Sequence, residues 1–339
     1  MTVPGSGGSR FVLSLLAGAG VSGLVYRVLS CRLPSPVVTV ADSDADAAGS
    51  GVGAADGTAG VDVAGDGSEW TRPHAAPGVS GGDAPTPRDQ PTPTPQHVGR
   101  RRWWRTNYAG APVSLFGGPA AVLGTVAGSL GAARPRHAAV IGVVGAVGLY
   151  DDLFGTSARR GLRGHLAGLR DGELTTGALK VAGIGLAALA GAALDPDADL
   201  RSVRGVLDVA VDAVVIAGTA NLVNLLDLRP GRASKAAVVL GLPIAVAGGP
   251  IGGALAALAA VSSADLAAET MLGDCGANAA GAAVALALVE VAPRPVVIGW
   301  LTVVTGLALA SEKVSFSSVI EHVSWLRRLD RAGRPKPRA

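Results

Sequence analysis

Aromatic residues supply only 4% of this chain of 339 residues, charged residues only 16%, and cysteine occurs twice. Each scarcity excludes something. Two cysteines, Cys31 and Cys275, cannot build a disulfide framework, and no zinc-ligand spacing accompanies them. A net charge of +3 is too small to argue for a nucleic-acid partner. So little charge beside 49% hydrophobic residues excludes a disordered chain and argues against an ordinary soluble globule. Lysine is nearly absent too, occurring only as Lys180, Lys235, Lys313 and Lys336, so arginine carries the positive charge.

What is present is alanine, glycine, valine and leucine in long blocks. Most approach ~20 residues, the length that spans a bilayer as a helix. Small residues in excess suit close helix–helix contact in lipid. The blocks fall at 11–30, 111–131, 137–153, 174–194, 206–226, 233–249, 250–267, 277–291 and 295–310. They predict an all-α, polytopic transmembrane helix bundle of about nine spans. The first run precedes Cys31. Its length and the flank Arg32-Leu33-Pro34, which lacks a small-residue cleavage pattern, favour a retained helix over a signal peptide. Connectors alternate between short ones and long, arginine-rich ones at 155–173, 229–235 and 312–339. The positive-inside rule places the arginine-rich set in the cytoplasm. Nine spans then put the N-terminus outside and the C-terminus inside, with Arg10 on the disfavoured side.

One stretch is a different material. Residues 41–69 hold seven acidic residues and no basic one, and 73–95 hold seven prolines. Such a segment cannot bury enough apolar surface to offset its ordering entropy, and it reads as a disordered cytoplasmic linker. The plan is therefore a first transmembrane helix at 1–33, the linker at 34–106, a transmembrane bundle at 107–311 and a basic tail at 312–339. The linker ends in Arg100-Arg101-Arg102-Trp103-Trp104-Arg105, which suits an interfacial anchor, with phosphate binding as the sharper alternative. The tail suits either an amphipathic helix on the membrane face or a solvated segment.

Several polar clusters fall on the cytoplasmic side of this topology. Asp151 and Asp152 close the third span, where the helix dipole disfavours anions by ~0.3–1 kcal/mol each. Something must compensate, and a divalent cation is the natural candidate beside plain hydration. Mg²⁺ takes one or two carboxylates and completes its shell with water and phosphate oxygens. Asn221, Asn224 and Asp227 follow at three-residue spacing and form a band that drifts round the fifth span. The two amides also suit helix–helix glue. Arg229, Arg232 and Lys235 come next, as topology signals or as a diphosphate clamp. Gly273-Asp274-Cys275-Gly276 precedes the eighth span. Asp274 there is an N-cap or a ligand, and the glycines allow close backbone approach. Asp265 and Glu269 lie upstream at i,i+4 spacing and point to the same cavity. Lys180, two turns inside the fourth span, either snorkels to the interface or meets the carboxylates. His165, in the basic loop, reads as a surface residue.

In order, these strings are a glycine-rich segment at 107–118, Asp151-Asp152, Asn221-x-x-Asn224-x-x-Asp227 and Gly273-Asp274-x-Gly276. Together they resemble the polyprenyl-phosphate N-acetylhexosamine-1-phosphate transferases over residues 107–330. The resemblance implies Mg²⁺-dependent transfer of a sugar-1-phosphate from a UDP-sugar to a polyprenyl phosphate, releasing UMP, for cell-envelope glycan synthesis. It implies an active site on the cytoplasmic face of a bacterial plasma membrane. Catalysis would fall to Asp151, Asp152 and Asp227, and metal binding to those three with Asp274. Substrate would meet Asn221, Asn224, Arg229, Arg232, Lys180, Arg163, Gly273 and Gly276. The partners implied are polyprenyl phosphate, a UDP-sugar and the membrane; a homodimer stays open. The chain departs from the family pattern where Pro230 replaces a second aspartate. The lysine expected soon after Asp152 is also missing, with Arg159, Arg160 and Arg163 as its nearest substitutes. A histidine-rich loop and a tenth span are absent from the sequence pattern, so a muramoyl-pentapeptide substrate is not expected. Two rivals remain. A transporter or flippase for an anionic lipid or solute would use Asp208, Asp212 and Lys180. A degenerate relative would bind ligand without transfer.

Overall fold

A computed structural model describes residues 6–33, 102–155 and 175–335. It is mostly helical. Among the described residues, nine helices form the bundle: α1 Ser6–Arg32, α2 Gly117–Gly131, α3 Pro135–Phe154, α4 Thr176–Ala193, α5 Val203–Leu226, α6 Arg232–Val246, α7 Gly252–Leu266, α8 Gly273–Val291 and α9 Arg294–Ser311. Two short helices follow, α10 Phe316–His322 and α11 Ser324–Arg331. Each apolar block thus holds a helix, but the block at 111–131 starts too early, since its helix begins at Gly117 and Pro112–Ser114 form a strand. Six of them, α1, α3, α4, α5, α8 and α9, are long and apolar enough to cross a membrane. The other three, α2, α6 and α7, have 15 residues each. At 1.5 Å per residue that is ~22 Å, short of the ~30 Å hydrocarbon core.

Local chemistry sets several boundaries. Thr175 and Ser202 cap α4 and α5 by accepting from the N–H groups of Ala178 (3.1 Å) and Gly205 (3.0 Å). Pro135 opens α3 at a position where no N–H is needed.

The core is built around α8, which packs against α2, α3, α5 and α6. Its side chains are small, Ala277 to Ala283 with Gly281 among them, and nearly all are buried. A Cβ on Gly281 would stand 2.4 Å from the Thr219 carbonyl oxygen of α5. Small residues at such crossings let backbones approach and gain dispersion contacts that lipid cannot supply. A second seam joins α1, α2 and α7. There Gly124 abuts the Gly18 carbonyl, Gly128 abuts Gly253, and the Ser22 hydroxyl donates to the Ala257 carbonyl at 3.0 Å.

The contacts make consecutive bundle helices alternate in direction. One end gathers the close of α3, α5 and α7 and the start of α2, α4, α6 and α8. At the far end Arg134 pairs with Glu290 (2.7 Å), Arg136 with Asp195 (2.5 Å), and Arg294 with Asp208 (2.9 Å) and Asp212. Asp208 and Asp212, the residues that motivated a transporter, therefore have a fixed counter-charge.

A two-stranded antiparallel hairpin lies at the first end: β1 Trp104–Thr106 pairs with β2 Pro112–Ser114. The composition assigns 104–106 to the linker, and the structure corrects that boundary. The rest of the linker, 34–101, lies outside the described residues. Trp103 and Trp104 pack on Phe116 with ring centroids 5.9 and 5.7 Å apart. Arg102 lies over the Phe154 ring at 4.7 Å, and Arg105 donates to the Asp152 carbonyl at the end of α3. The described part of the basic-aromatic cluster, Arg102 to Arg105, thus folds back onto the bundle.

Candidate active site

Asp151 and Asp152 occupy the last turn of α3, where the dipole of their own helix opposes them. The structure supplies the compensation through a neighbour. The N–H groups of Asp274 and Cys275 donate to the two Asp152 carboxylate oxygens at 3.0 and 2.8 Å. Asp152 thus caps the start of α8 and sits at that helix's positive end. Leu272, at the N-cap position, gives no side-chain cap, and Asp274 does not act as one. Gly273 makes the approach feasible. It has φ +59, and a Cβ there would lie 2.8 Å from Asp152 Oδ2.

Lys180 enters from α4, and its Nζ lies 2.8 Å from Asp274 Oδ1 and 3.7 Å from Asp151 Oδ2. Of its two readings, the meeting with carboxylates is the one observed. Asp227 closes α5 as its C-cap. Its Oδ2 is buried with no hydrogen-bond partner among the described residues. Burial pushes this carboxyl well above the usual carboxylate range. Asp265, Asp152 and Asp274 push the same way, against a backbone hydrogen bond from Gly273.

Asp227 opens on a cavity of about 190 Å³ lined also by Thr106, Asn107, Tyr108, Arg229, Pro230 and Asp265. The hairpin roofs it. Thr270 holds the hairpin down, accepting from the Gly117 N–H (2.7 Å) and donating to the Ser114 carbonyl (3.0 Å). Asp265 holds the floor. Its carboxylate accepts from the Gly231 N–H (3.1 Å) and the Ser234 hydroxyl (2.5 Å), fixing the turn after Asp227. Glu269 instead lines a second cavity near Tyr26 and Trp104.

Other expected site residues fall elsewhere. Asn221 is on the exposed outside of α5, because a three-residue step lags the helix by ~60° and two steps turn it well away from Asp227. Asn224 is half-buried, and neither amide is seen to hydrogen-bond through its side chain among the described residues. Gly276 serves packing, since a Cβ there would meet the Gly118 Cα of α2 at 2.8 Å. Arg163, Arg159, Arg160 and His165 lie outside the described residues.

The basic turn is also redirected. Arg232 is buried and donates to Asp330 at 2.8 and 3.3 Å and to the Ser317 hydroxyl at 2.8 Å. Lys235 donates to the carbonyls of Leu329 (3.2 Å), Asp330 and Ala332 (3.1 Å). Arg229 pairs with Glu321 at 3.0 Å, and of the three cations only it also faces the cavity, lying 4.2 Å over the Tyr108 ring. All three expected phosphate-clamp cations therefore bind the C-terminal segment, and Arg229 alone of them is shared with the cavity. Burial alone would raise the Asp330 carboxyl, but Arg232, Arg334 and Lys235 outweigh it and hold it below the usual range. A carboxyl so lowered keeps its stabilising pair above its unfolded value and loses it only as pH falls through the lowered one. Arg232→Ala is expected to release the segment, because removing one partner of a buried pair costs about 3–5 kcal/mol. Limited proteolysis at neutral pH checks this: cleavage within 312–335 should become rapid in the variant and stay slow in the parent.

The four expected metal ligands are not equivalent. Asp152 has both oxygens engaged, and Asp151 and Asp274 share Lys180. No three carboxylate, histidine or cysteine groups among the described residues are disposed as a ready ligand set. Of the four, Asp227 alone keeps a buried oxygen unpaired among the described residues, and one protein carboxylate is within the habit of Mg²⁺ when a substrate brings phosphate oxygens.

Thr106, Tyr108 and Thr270 are not legible as site residues, the glycine-rich string around Tyr108 being their one signal, whereas Arg105 belongs to the basic-aromatic cluster that reads as an anchor or a phosphate binder. Set against protein-family models, curated proteins and solved structures, the chain matches none of them.

Proposed function

We propose that the chain is an integral-membrane phosphoglycosyl transferase that moves a sugar-1-phosphate from a UDP-sugar to a polyprenyl phosphate and releases UMP. The observation that carries this reading is the convergence of Asp151, Asp152, Asp274 and Lys180 from three helices, beside the unpaired Asp227 oxygen in a cavity. The bundle would cross the membrane nine times with this end in the cytoplasm, the short α2, α6 and α7 counting as crossings because each runs opposite to the helices before and after it. The arginine-rich turn at 229–235 and the basic tail lie at the same end and support that orientation.

A lipid phosphate oxygen attacks the sugar-linked phosphorus, and the bond from that phosphorus to the UMP oxygen breaks. Asp152 is committed to the α8 backbone, so Asp151 is the member of the pair left to orient the lipid phosphate, with Lys180 as its counter-charge. Asp227 would hold Mg²⁺. The chemistry that ion supplies when bound is neutralisation of diphosphate charge and a better UMP leaving group. Arg229, stacked on Tyr108 at the cavity wall, is placed to meet phosphate oxygens.

A second reading, binding without transfer, has one observation behind it: Pro230 stands in the cavity wall where the resemblance calls for a carboxylate. One experiment separates the two. Purified protein in detergent is given polyprenyl phosphate, Mg²⁺ and a panel of UDP-sugars, and UMP is measured. Transfer predicts UMP only when both substrates are present. Absence of UMP across the panel from folded protein that binds polyprenyl phosphate would overturn transfer in favour of binding.

A further inference from the structure

The eight-residue helix α11, Ser-Trp-Leu-Arg-Arg-Leu-Asp-Arg, holds a single acidic residue, Asp330. That carboxylate is turned inward onto Arg232 and Arg334. Its anchoring fixes the rotation of the helix. At ~100° per residue, Leu326 shares the inward side with Asp330, while Trp325 and Leu329 lie together on a second side. Arg327 and Arg331 share a third, and Arg328 falls between them and Trp325. Trp325 is 64% exposed and Leu329 48%. All three arginines are exposed as well. The outward surface therefore carries two large apolar side chains, three guanidinium groups and no carboxylate.

The height of this helix is fixed by the same contacts. Lys235, in the first turn of α6, donates to carbonyls at both ends of the Leu329–Ala332 stretch. Gly333 sits on Leu266, the last residue of α7; a Cβ there would lie 3.2 Å from Leu266 Cδ1. The end of α11 is thus level with the ends of bundle helices, where their apolar stretches stop. At that level, tryptophan prefers the headgroup zone, and guanidinium groups pair with lipid phosphates.

We propose that α11 lies on the anionic surface of the membrane that holds the bundle, with Trp325 and Leu329 entering the interface and Arg327, Arg328 and Arg331 pairing with lipid phosphates. This needs only that the bundle sits in a membrane, and it stands whether or not the protein is a transferase. The full chain is reconstituted in phosphatidylcholine vesicles with or without phosphatidylglycerol, and either lipid is supplied brominated. The emission of the parent minus that of Trp325→Phe isolates one indole. That component should lose most of its intensity to brominated phosphatidylglycerol and be shielded from aqueous acrylamide. The triple variant Arg327→Gln, Arg328→Gln, Arg331→Gln should restore the emission, as should high salt in part. Insensitivity to brominated lipid with free access to acrylamide would put the helix in water and overturn the proposal. Shielding from both quenchers would mean a protein surface covers it, and would overturn it equally. Equal quenching by both brominated lipids, unmoved by the triple variant, would overturn the charge pairing.

Discussion

Asp227→Asn should abolish most transfer while leaving the protein as stable as before or more so. The two effects have one cause. Asp227 Oδ2 is buried without a partner among the described residues, in the field of Asp265, Asp152 and Asp274. A charge held there is unfavourable in the resting protein, and an amide of the same shape removes it. In the proposed reaction the same oxygen meets the charge brought by the diphosphate and its cation. Phosphoryl transfer depends mainly on positioning and charge stabilisation, and losing one such group typically costs ~10²–10³ in rate, or about 2.7–4 kcal/mol. UMP release and thermal unfolding in detergent, measured on one preparation, check both halves. Asp152→Asn gives the contrast. Its carboxylate caps α8, so the amide would set a donor against the Asp274 or Cys275 N–H, and a lost cap costs about 0.5–2 kcal/mol. That variant should lose stability along with activity. If Asp227→Asn kept near-full transfer, the role given to Asp227 would be wrong.

The contrast also marks what could be read from the chain and what could not. The apolar blocks match the helix boundaries to within a few residues, because length and hydrophobicity are local properties, except that the block at 111–131 overruns strand β2 before its helix begins at Gly117. The unfavourable position of Asp151-Asp152 at a helix end was equally legible, and so was the need for compensation. Its source was not. The start of α8 lies over a hundred residues away, and only the crossing of α3 and α8 brings its N–H groups to Asp152. The hairpin escaped for a different reason. Two strands of three residues carry no usable period, and tryptophans beside arginines read as a membrane anchor. Arg232 has the composition of a phosphate ligand, yet it is buried by a segment about a hundred residues later. Charge type was readable there, and the partner was not. Of the band on α5, the drift that carries Asn221 away follows from helix geometry alone.

Gly148→Ala should destabilise the protein and lower transfer together, although the added group is one methyl. Its Cβ would lie 2.3 Å from the Asp274 carbonyl oxygen, 2.6 Å from its carbon and 2.8 Å from the Cys275 Cα. All three are backbone atoms, so no rotamer change relieves the clash, and the start of α8 has to move. Overpacking of this kind costs about 1–3 kcal/mol. The same shift draws the Asp274 and Cys275 N–H groups off Asp152, adding the loss of its cap at about 0.5–2 kcal/mol. It also moves Asp274 away from Lys180 and Gly273 away from Asp227. Gly185→Ala, one helix over, is the control. A Cβ at that position would have nothing within 4 Å among the described residues, and alanine there should stabilise the helix by about 0.5–1 kcal/mol. Thermal unfolding of the two variants should therefore shift in opposite directions from the parent, and only Gly148→Ala should lose UMP release. Equal stability in both would mean that α3 and α8 do not cross at Gly148, and the capping of α8 by Asp152 would fall with that crossing.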